Sequence, residues 1–145
     1  MQIKNKNLGI VEIDEKDVID FPVGIPGFPE DKKFVILQEK EPTSPFNWLV
    51  STRDMGPSFV ITDPRNIDPK YAPEVREAWI QELDLEKAED ALVYVILNIP
   101  EDIQEMTANL RAPVIINGRK SIGKQVVLEE SEYLVKQPVV TAKKD

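Results

Sequence analysis

The stretch Ala91-Leu-Val-Tyr-Val-Ile-Leu97 is the longest uninterrupted apolar run in the chain. Its length and its β-branched and aromatic residues are typical of a buried strand, and it falls far short of the roughly 20 residues that a membrane-spanning helix needs. Twelve prolines and six glycines divide the rest of the chain into similarly short pieces. This pattern of short strands between turns predicts a mainly β fold.

The candidate strands share β-branched or aromatic residues and end at turn residues; they are 9–13, 18–21, 34–38, 47–51, 58–62, 92–99, 114–116 and 125–129. In Phe46-Asn-Trp-Leu-Val-Ser51, alternation places Phe46, Trp48 and Val50 on one face, which we expect to face the core. Leu49 lies on the other face, where we expect its side chain to be exposed.

One segment has a helical rather than a strand period. Within Pro73-Glu-Val-Arg-Glu-Ala-Trp-Ile-Gln-Glu-Leu83, the apolar residues recur at the spacing of one helical face, and Pro73 suits a first turn. The pattern predicts a helix over 73–83, and it allows a second short helix around 100–106. The acidic residues between 84 and 90 predict a solvated connector into the next strand.

The length of 145 residues predicts a single domain, which we assign to 1–140, followed by a frayed tail at 141–145. The sequence begins with no signal peptide and contains no apolar run of membrane-spanning length, so we expect a soluble cytoplasmic protein without a membrane partner. The net charge is −8, which argues against direct binding of nucleic acid, because affinity for phosphate comes mainly from Lys and Arg.

The chain contains no His and no Cys, which excludes imidazole bases, thiolate nucleophiles, zinc ribbons and iron–sulfur clusters. Ser121-Ile-Gly-Lys124 has the spacing of a serine–lysine catalytic pair, but its companion motifs are missing and Asn117-Gly118 predicts a hairpin turn there instead. The acidic clusters match no calcium loop, and the glycines form no phosphate loop. We therefore expect no enzymatic activity and no metal or other cofactor.

The loop Phe21-Pro-Val-Gly-Ile-Pro-Gly-Phe28 combines two glycines with two prolines, so a tight apolar turn is expected. The turn folds onto the core in one interpretation. In the other it protrudes, and Ile25 and Phe28 contact a partner.

Several segments carry a more specific pattern than a generic core requires. They are Phe46-Asn-Trp-Leu49, Phe59-Val-Ile-Thr-Asp-Pro64, Thr107-Ala-Asn-Leu-Arg-Ala-Pro-Val-Ile-Ile-Asn117, Gly123-Lys-Gln-Val-Val-Leu128 and Tyr133. In this order, and together with the loop that ends at Phe28, they resemble the FliW family of flagellar assembly factors over about residues 13–138. The segment that ends at Asn117 is the most specific part.

The resemblance implies a single-domain antiparallel β-barrel-like fold with one or two short helices, and a regulator without enzymatic activity. Members of this family bind flagellin in the cytoplasm. When flagellin is exported they bind the carbon storage regulator, an RNA-binding protein that represses flagellin translation, and so relieve the repression. The acidity of the chain would speed encounter with such a basic partner and repel RNA phosphate.

Asn109 and Asn117 either hold turns through side-chain hydrogen bonds or contact a partner, and Pro113 is expected to begin a strand. An open strand edge would offer a pairing site for a partner strand. The residues that we assign to partner binding are Ile25, Phe28, Phe46, Leu49, Asn109, Leu110, Pro113, Asn117 and Gln125. The alternative functions are a dedicated flagellin chaperone with an apolar groove and, less compatible with the missing residues, a small hydrolase.

Overall fold

A computed structural model describes residues 1–39 and 44–139 of the chain. In these ranges the backbone forms eleven strands and one α-helix, α1, which spans Glu77–Glu82. The strands are β1 (Gln2–Asn5), β2 (Gly9–Glu12), β3 (Ile19–Asp20), β4 (Lys33–Gln38), β5 (Phe46–Ser51), β6 (Ser58–Thr62), β7 (Ala91–Asn98), β8 (Thr107–Ala108), β9 (Val114–Asn117), β10 (Ile122–Gln125) and β11 (Gln137–Pro138).

Seven of these strands form a closed barrel. The order β7-β6-β5-β4-β3-β10-β9 returns to its start because β9 also pairs with β7. The neighbours are antiparallel except at one seam, where β3 and β10 run parallel and share the single residue pair Asp20–Ile122. The mainly β, barrel-like fold is therefore confirmed, and the parallel seam is the one difference from the expected all-antiparallel arrangement.

The barrel interior is filled by alternate side chains of its strands and of the loop after β3. Phe34, Leu49 and Ile61 are completely buried there, from three adjacent strands, and Val114 joins them from β9. Phe21 completes this core, with its ring at 5.1 Å from that of Phe34 in an edge-on arrangement. Fully burying each such side chain contributes roughly 1.5–3 kcal/mol.

Two outer layers cover the barrel. The hairpin β1–β2 supplies Ile3, and with Ile13 it covers Val35 and Val50 on the outer faces of β4 and β5. The helix α1 and the segment after β10 cover the outer faces of β7 and β9, where the buried side chains are Trp79, Leu83, Val95, Leu97, Ile115, Val126 and Leu128. Several barrel strands are therefore buried on both faces.

This double covering corrects the expectation for β5. Leu49 is 0% exposed because it points into the closed barrel, so the expected exposure of its side chain is wrong. Val50 is buried on the opposite face as expected, while Phe46 and Trp48 are only half-buried. A strand with apolar residues on both faces reflects two separate cores and does not reveal a binding surface.

The helix is shorter than the periodicity predicts. It begins after Arg76, whose backbone is extended, and residues 72–76 are not helical. The hydroxyl of Tyr133 accepts the backbone N–H of Ala72 at 3.0 Å, which holds the preceding segment in extended form. Residues 103–105 form a single 3-10 turn in place of the second helix.

The predicted hairpin at Asn117 is confirmed, because β9 and β10 pair across the turn 118–121. The strand predicted at 125–129 is wrong, since β10 ends at Gln125. The N–H of Val126 still donates to the carbonyl of Pro113 at 3.0 Å. Pro113 has no N–H with which to return that bond, so the regular ladder is interrupted there, and beyond it the N–H of Leu128 donates to the carbonyl of Arg111 at 2.8 Å. The predicted tail at 141–145 lies outside the described residues.

Candidate partner-binding surfaces

The loop between Phe21 and Phe28 folds onto the barrel. Ile25 is buried in the interior core, and its carbonyl accepts the N–H of Phe28 at 2.7 Å in a tight turn. Gly24 has a φ of +69°, and a Cβ at that position would lie 2.7 Å from the carbonyl oxygen of Phe28. Phe28 is 40% exposed and packs edge-on against Phe59. Ile25 therefore fits the interpretation in which the loop folds onto the core. Phe28 is the accessible part of the loop.

Asn109 lies in the turn between β8 and β9 and is half-buried. Its Oδ1 accepts the backbone N–H groups of Arg111 and Ala112, at 3.2 and 3.0 Å, which is the side-chain turn that short amides form. Leu110 beside it is 1% exposed and belongs to the outer core. Pro113 directly precedes β9, as expected, and it is buried.

Asn117 ends β9 and is 1% exposed. Its Nδ2 donates to the carbonyl of Leu83 at 2.9 Å and to that of Asp84 at 3.1 Å, while its Oδ1 accepts the N–H groups of Arg119 and Lys120. The side chain thus joins the end of α1 to the β9–β10 hairpin. Such a fully bonded buried amide is structural, and it has no group left for a partner.

The nine residues that the sequence assigns to partner binding do not form one surface. Leu49 and Ile25 lie in the interior core, Leu110, Pro113 and Asn117 are also buried, and Phe46 packs at half-burial against the outer core. Gln125 is half-buried and donates from Nε2 to the carbonyl of Ala112. Of the nine, Phe28 alone has an exposed side chain.

Two surfaces escaped the sequence analysis. The first is an open groove of about 730 Å³ beside the N-terminal half of β7. Its floor is formed by Ala91 and Val93, and its walls include Val75, Ile80 and Leu85. We call it the β7 groove. Leu92 and Val75 are exposed apolar side chains at this groove, so it presents apolar surface to solvent.

Polar groups flank the β7 groove as well. Tyr94 lines it together with Asp63, and burial raises the pKa of the Tyr94 phenol, with a further contribution from the negative charge of Asp63. Arg65 and Lys87 also line the groove. No ion pair to either cation occurs among residues 1–39 and 44–139.

The second surface is the segment that follows β10, and we call residues 127–135 the C-terminal face. Leu134 and Val135 are 52% and 54% exposed, and Val127 is exposed as well. Between these apolar residues lie exposed carboxylates, namely Glu129, Glu130 and Glu132. This segment alternates acidic and apolar residues in part, and the sequence pattern predicts a strand over 125–129 and no binding surface.

The acidic connector at 84–90 is largely exposed to solvent, as the sequence predicts, and several of its carboxylates are also paired with cations. Lys120 binds Asp84 and Glu86, and Arg119 lies 3.7 Å from Asp90. Lys124 similarly binds Glu82. The cations of the β9–β10 hairpin therefore pair with four of the carboxylates in and beside this connector.

The same ion pairs remove the remaining catalytic candidate. Lys124 is engaged by Glu82, and Ser121 lies in the hairpin turn with a φ of +55°. Within the described residues, His, Cys, Asp and Glu form no group of three or more that could hold a metal ion. Those residues also include no helix of the length and apolarity that a membrane crossing requires.

Comparisons with known proteins agree with the fold and with the motifs. The family model described as FliW protein matches residues 2–139. The chain is 44% identical over 140 residues to the flagellar assembly factor FliW of Thermoanaerobacter pseudethanolicus, with 97% of this chain and 93% of that protein covered. It is 42% identical over 133 residues to the protein of the same name from Thermosipho africanus, with 91% of each covered.

A solved structure gives the same result in three dimensions. A crystal structure of the flagellar assembly factor FliW superposes with a TM-score of 0.90 at 36% identity, and covers 99% of this chain and 100% of that one. The match includes the closed barrel and both outer layers, since it extends over nearly the whole chain. The chain therefore belongs to the FliW family of flagellar assembly factors.

Proposed function

We propose that this protein binds flagellin in the cytoplasm and, once flagellin is exported, binds the carbon storage regulator and relieves its repression of flagellin translation. Membership of the FliW family supports the proposal. The observation that carries it is the group of exposed glutamates beside exposed apolar side chains on the C-terminal face of a protein whose net charge is −8. In this role the protein would carry out no chemistry, and neither flagellin nor the repressor would need a metal or cofactor to bind.

The acidic residues differ in whether a cation neutralises them. Glu82, Asp84, Glu86 and Asp90 are paired with cations of the β9–β10 hairpin. Within the ranges that the structure describes, no cation lies within ion-pairing distance of the carboxylates of Glu129, Glu130 or Glu132, and the guanidinium of Arg111 donates there to the backbone carbonyl of Glu129. A basic RNA-binding protein would be attracted to unpaired carboxylates of this kind.

The C-terminal face also offers apolar contact area. Leu134 and Val135 are exposed beside the three glutamates, so a docked partner would bury apolar side chains while its cations approach the carboxylates. A fixed negative charge within about 8 Å of the RNA site would raise the cost of bringing phosphate close, even where the site itself stays uncovered. To antagonise the repressor, the protein would then need only to bind it and to hold negative charge near its RNA site. No catalytic group would be required.

The first experiment tests the exchange of partners. The purified protein is mixed with flagellin, with the repressor, and with both, and the complexes are separated by size exclusion. We expect two binary complexes and displacement of one partner by the other. A protein that binds flagellin but not the repressor would be a dedicated flagellin chaperone, and the proposal would be overturned.

The second experiment tests the C-terminal face. Replacing Glu129, Glu130 and Glu132 by glutamine is expected to slow association with the repressor about three- to tenfold at low salt, because electrostatic steering is weakened. The matched control removes the same charge elsewhere, by replacing Asp14, Glu15 and Asp17 with their amides, and should change the rate less than about twofold. Equal effects of the two triple variants would remove the C-terminal face from the proposal.

Ionic strength gives an independent check of the same idea. At about 1 M salt the screening length falls to about 3 Å, so the association rate of the unmodified protein should fall toward that of the glutamine variant. An association rate and an inhibition that both stay unchanged at high salt would contradict electrostatic steering.

A further inference from the structure

We propose that the β7 groove binds an extended, acidic segment of a partner chain, which adds as a short strand to the free edge of β7. The proposal concerns a different surface from the C-terminal face. It does not depend on the binding of the repressor, whose basic surface would be repelled here.

The edge of β7 is open because its two halves have different neighbours. On one side, β9 pairs with Ala91 through Tyr94. On the other side, β6 pairs only with Val95 through Leu97, and the chain then leaves the sheet at Asp63-Pro64. The N-terminal half of β7 therefore has no neighbouring strand on the groove side, among the described residues.

The phase of the ladder shows which backbone groups face the groove. The N–H of Gly118 donates to the carbonyl of Asp90, so the residues that bond to β9 are Leu92 and Tyr94, and the intervening Val93 points its N–H and C=O the other way. Ala91 directs its carbonyl to the same side, while its N–H is used by the preceding 3-10 turn. A strand added here would meet one complete donor–acceptor pair and one further acceptor.

No group in residues 1–39 or 44–139 satisfies the outward N–H and C=O of Val93 by a hydrogen bond. Unpaired edge groups are the usual template for addition of a strand from another chain. The walls of the groove supply apolar contacts through Val75, Ile80 and Leu85. Its volume of about 730 Å³ lies within the roughly 300–1,000 Å³ that is typical of binding clefts.

Charge indicates the chemistry of the occupant. Of the four charged residues at the groove, Arg65 and Lys87 are exposed cations without a carboxylate partner in the described part of the chain. The carboxylate of Glu86 is already bound by Lys120, so in the described part of the chain Asp63 is the one groove carboxylate without a cation partner. The two unpaired cations outnumber it, and in a protein with a net charge of −8 this local excess of positive charge favours carboxylates over cations.

The experiment uses a defined probe and the whole protein. The probe is an acetylated and amidated peptide that alternates valine and threonine and has an aspartate at each end. We expect saturable binding by NMR titration, with the largest amide shift at Val93 and with slower exchange of its N–H. Methylation of alternate peptide nitrogens should abolish binding, because the added strand then loses its donors.

Charge variants separate this site from the rest of the surface. Replacing Arg65 and Lys87 by glutamate should weaken binding of the probe about tenfold or more. The control at a distant site is Lys6→Glu in the exposed turn of the β1–β2 hairpin, which reverses one charge where the test variant reverses two and should change the affinity for the probe less than twofold. Both variants should fold normally, because all three side chains are exposed.

Three outcomes would overturn the proposal. They are tighter binding of a probe with lysine at both ends, equal binding of the nitrogen-methylated probe, and preference for a helical glutamate-rich peptide over the extended one. The C-terminal triple variant is not involved, so failure here leaves the binding of the repressor to be judged by its own experiments.

Discussion

The guanidinium of Arg53 donates two hydrogen bonds to the carboxylate of Asp31, from Nε to Oδ1 at 2.9 Å and from Nη2 to Oδ2 at 3.0 Å. The hydroxyl of Ser51 donates a third at 2.8 Å. Asp31 is buried, whereas Arg53 remains half in solvent. This pair fixes the end of β5 against the loop before β4, and it gives the buried carboxylate of Asp31 three side-chain hydrogen bonds.

Asp31→Asn should lower the free energy of unfolding by about 1–3 kcal/mol at pH 7, because it removes hydrogen bonds to a buried charge. Arg53 holds the pKa of Asp31 below its ordinary 3.8, against the opposing effect of burial. The unfolded state therefore takes up a proton first, and this stabilisation is lost as the pH falls below about 4.

Denaturant unfolding of the two proteins between pH 2 and pH 7 measures this difference. The control is Asp20→Asn, which breaks an exposed ion pair with Lys33 and should cost less than about 1 kcal/mol. A difference between Asp31→Asn and the parent that stays constant down to pH 2 would contradict the assignment.

Gly123→Ala should destabilise the barrel by about 1–3 kcal/mol through overpacking. A Cβ at Gly123 would lie 2.6 Å from Cζ of Phe21, which is completely buried and has no room to retreat. Gly118→Ala is the control, since its Cβ would meet nothing closer than 3.4 Å, at Leu92. Thermal unfolding should separate the two variants, and equal melting temperatures would argue against this close approach.

Asn109→Asp and Asn117→Asp should behave differently, although both exchange an amide for a carboxylate. The carboxylate at 109 keeps both acceptor bonds, so the free energy of unfolding should change by less than about 0.5 kcal/mol. At 117 the change removes two donors and places a charge against the carbonyls of Leu83 and Asp84, which should cost about 2–4 kcal/mol. Chemical denaturation of the two variants measures both values.

Asn109→Asp also tests whether this turn contacts a partner, since the variant is expected to remain folded. Full affinity for both flagellin and the repressor would remove Asn109 from the set of partner contacts. If Asn109→Asp were instead as unstable as Asn117→Asp, the carboxylate at 109 would not replace the amide in holding the turn.

Tyr71→Phe should reduce the sensitivity of the fold to alkali. The Tyr71 hydroxyl donates to the carbonyl of Leu110 at 2.8 Å, and its ring packs at 4.6 Å from that of Tyr133. Burial, assisted by Tyr133, raises the pKa of Tyr71 well above its ordinary 10.0. The unfolded state then loses its proton first, so stability falls as the pH rises above about 10.

Unfolding measured between pH 8 and pH 11 tests this effect. The Tyr71→Phe protein should be less stable by about 1 kcal/mol at pH 8, because the Leu110 carbonyl loses its donor. Its stability should then decline less steeply with pH than that of the parent. Parallel curves for the two proteins would show that Tyr71 does not titrate differently on unfolding.

The sequence predicts most of the barrel because its strands are short and are separated by Pro and Gly. Six of the eight predicted strands overlap an observed strand over most of their length, 18–21 overlaps β3 over half of its length, and 125–129 overlaps β10 at Gln125 alone. The missing N–H of Pro113 interrupts the regular ladder on the opposite strand, an effect that no pattern within 125–129 could reveal. The strands β8 and β11 each have two residues and pair with each other. Two residues are too few to show an alternating pattern in the sequence, so these strands could not be predicted.

The candidate surfaces were harder to predict, for a related reason. Alternation on β5 indicates one buried face, but closure of the barrel buries Leu49 while the β1–β2 hairpin buries Val50. The acidic run before β7 is solvated, as predicted, but its ion pairs could not be foreseen, because Arg119 and Lys120 come about thirty residues later and reach it only through the hairpin. The sequence motifs are sufficient to identify the family. Which side chains are exposed depends on packing between distant parts of the chain, which the motifs do not show.

The parallel seam between β3 and β10 has a consequence for how the protein is made. Asp20 is synthesised early and Ile122 late, so a nascent chain cannot close the cylinder until nearly all of it has left the ribosome. Until then the interior of β4 to β7 is open to water. A chain truncated after Ala112 is accordingly expected to bind a hydrophobic dye that the full chain excludes.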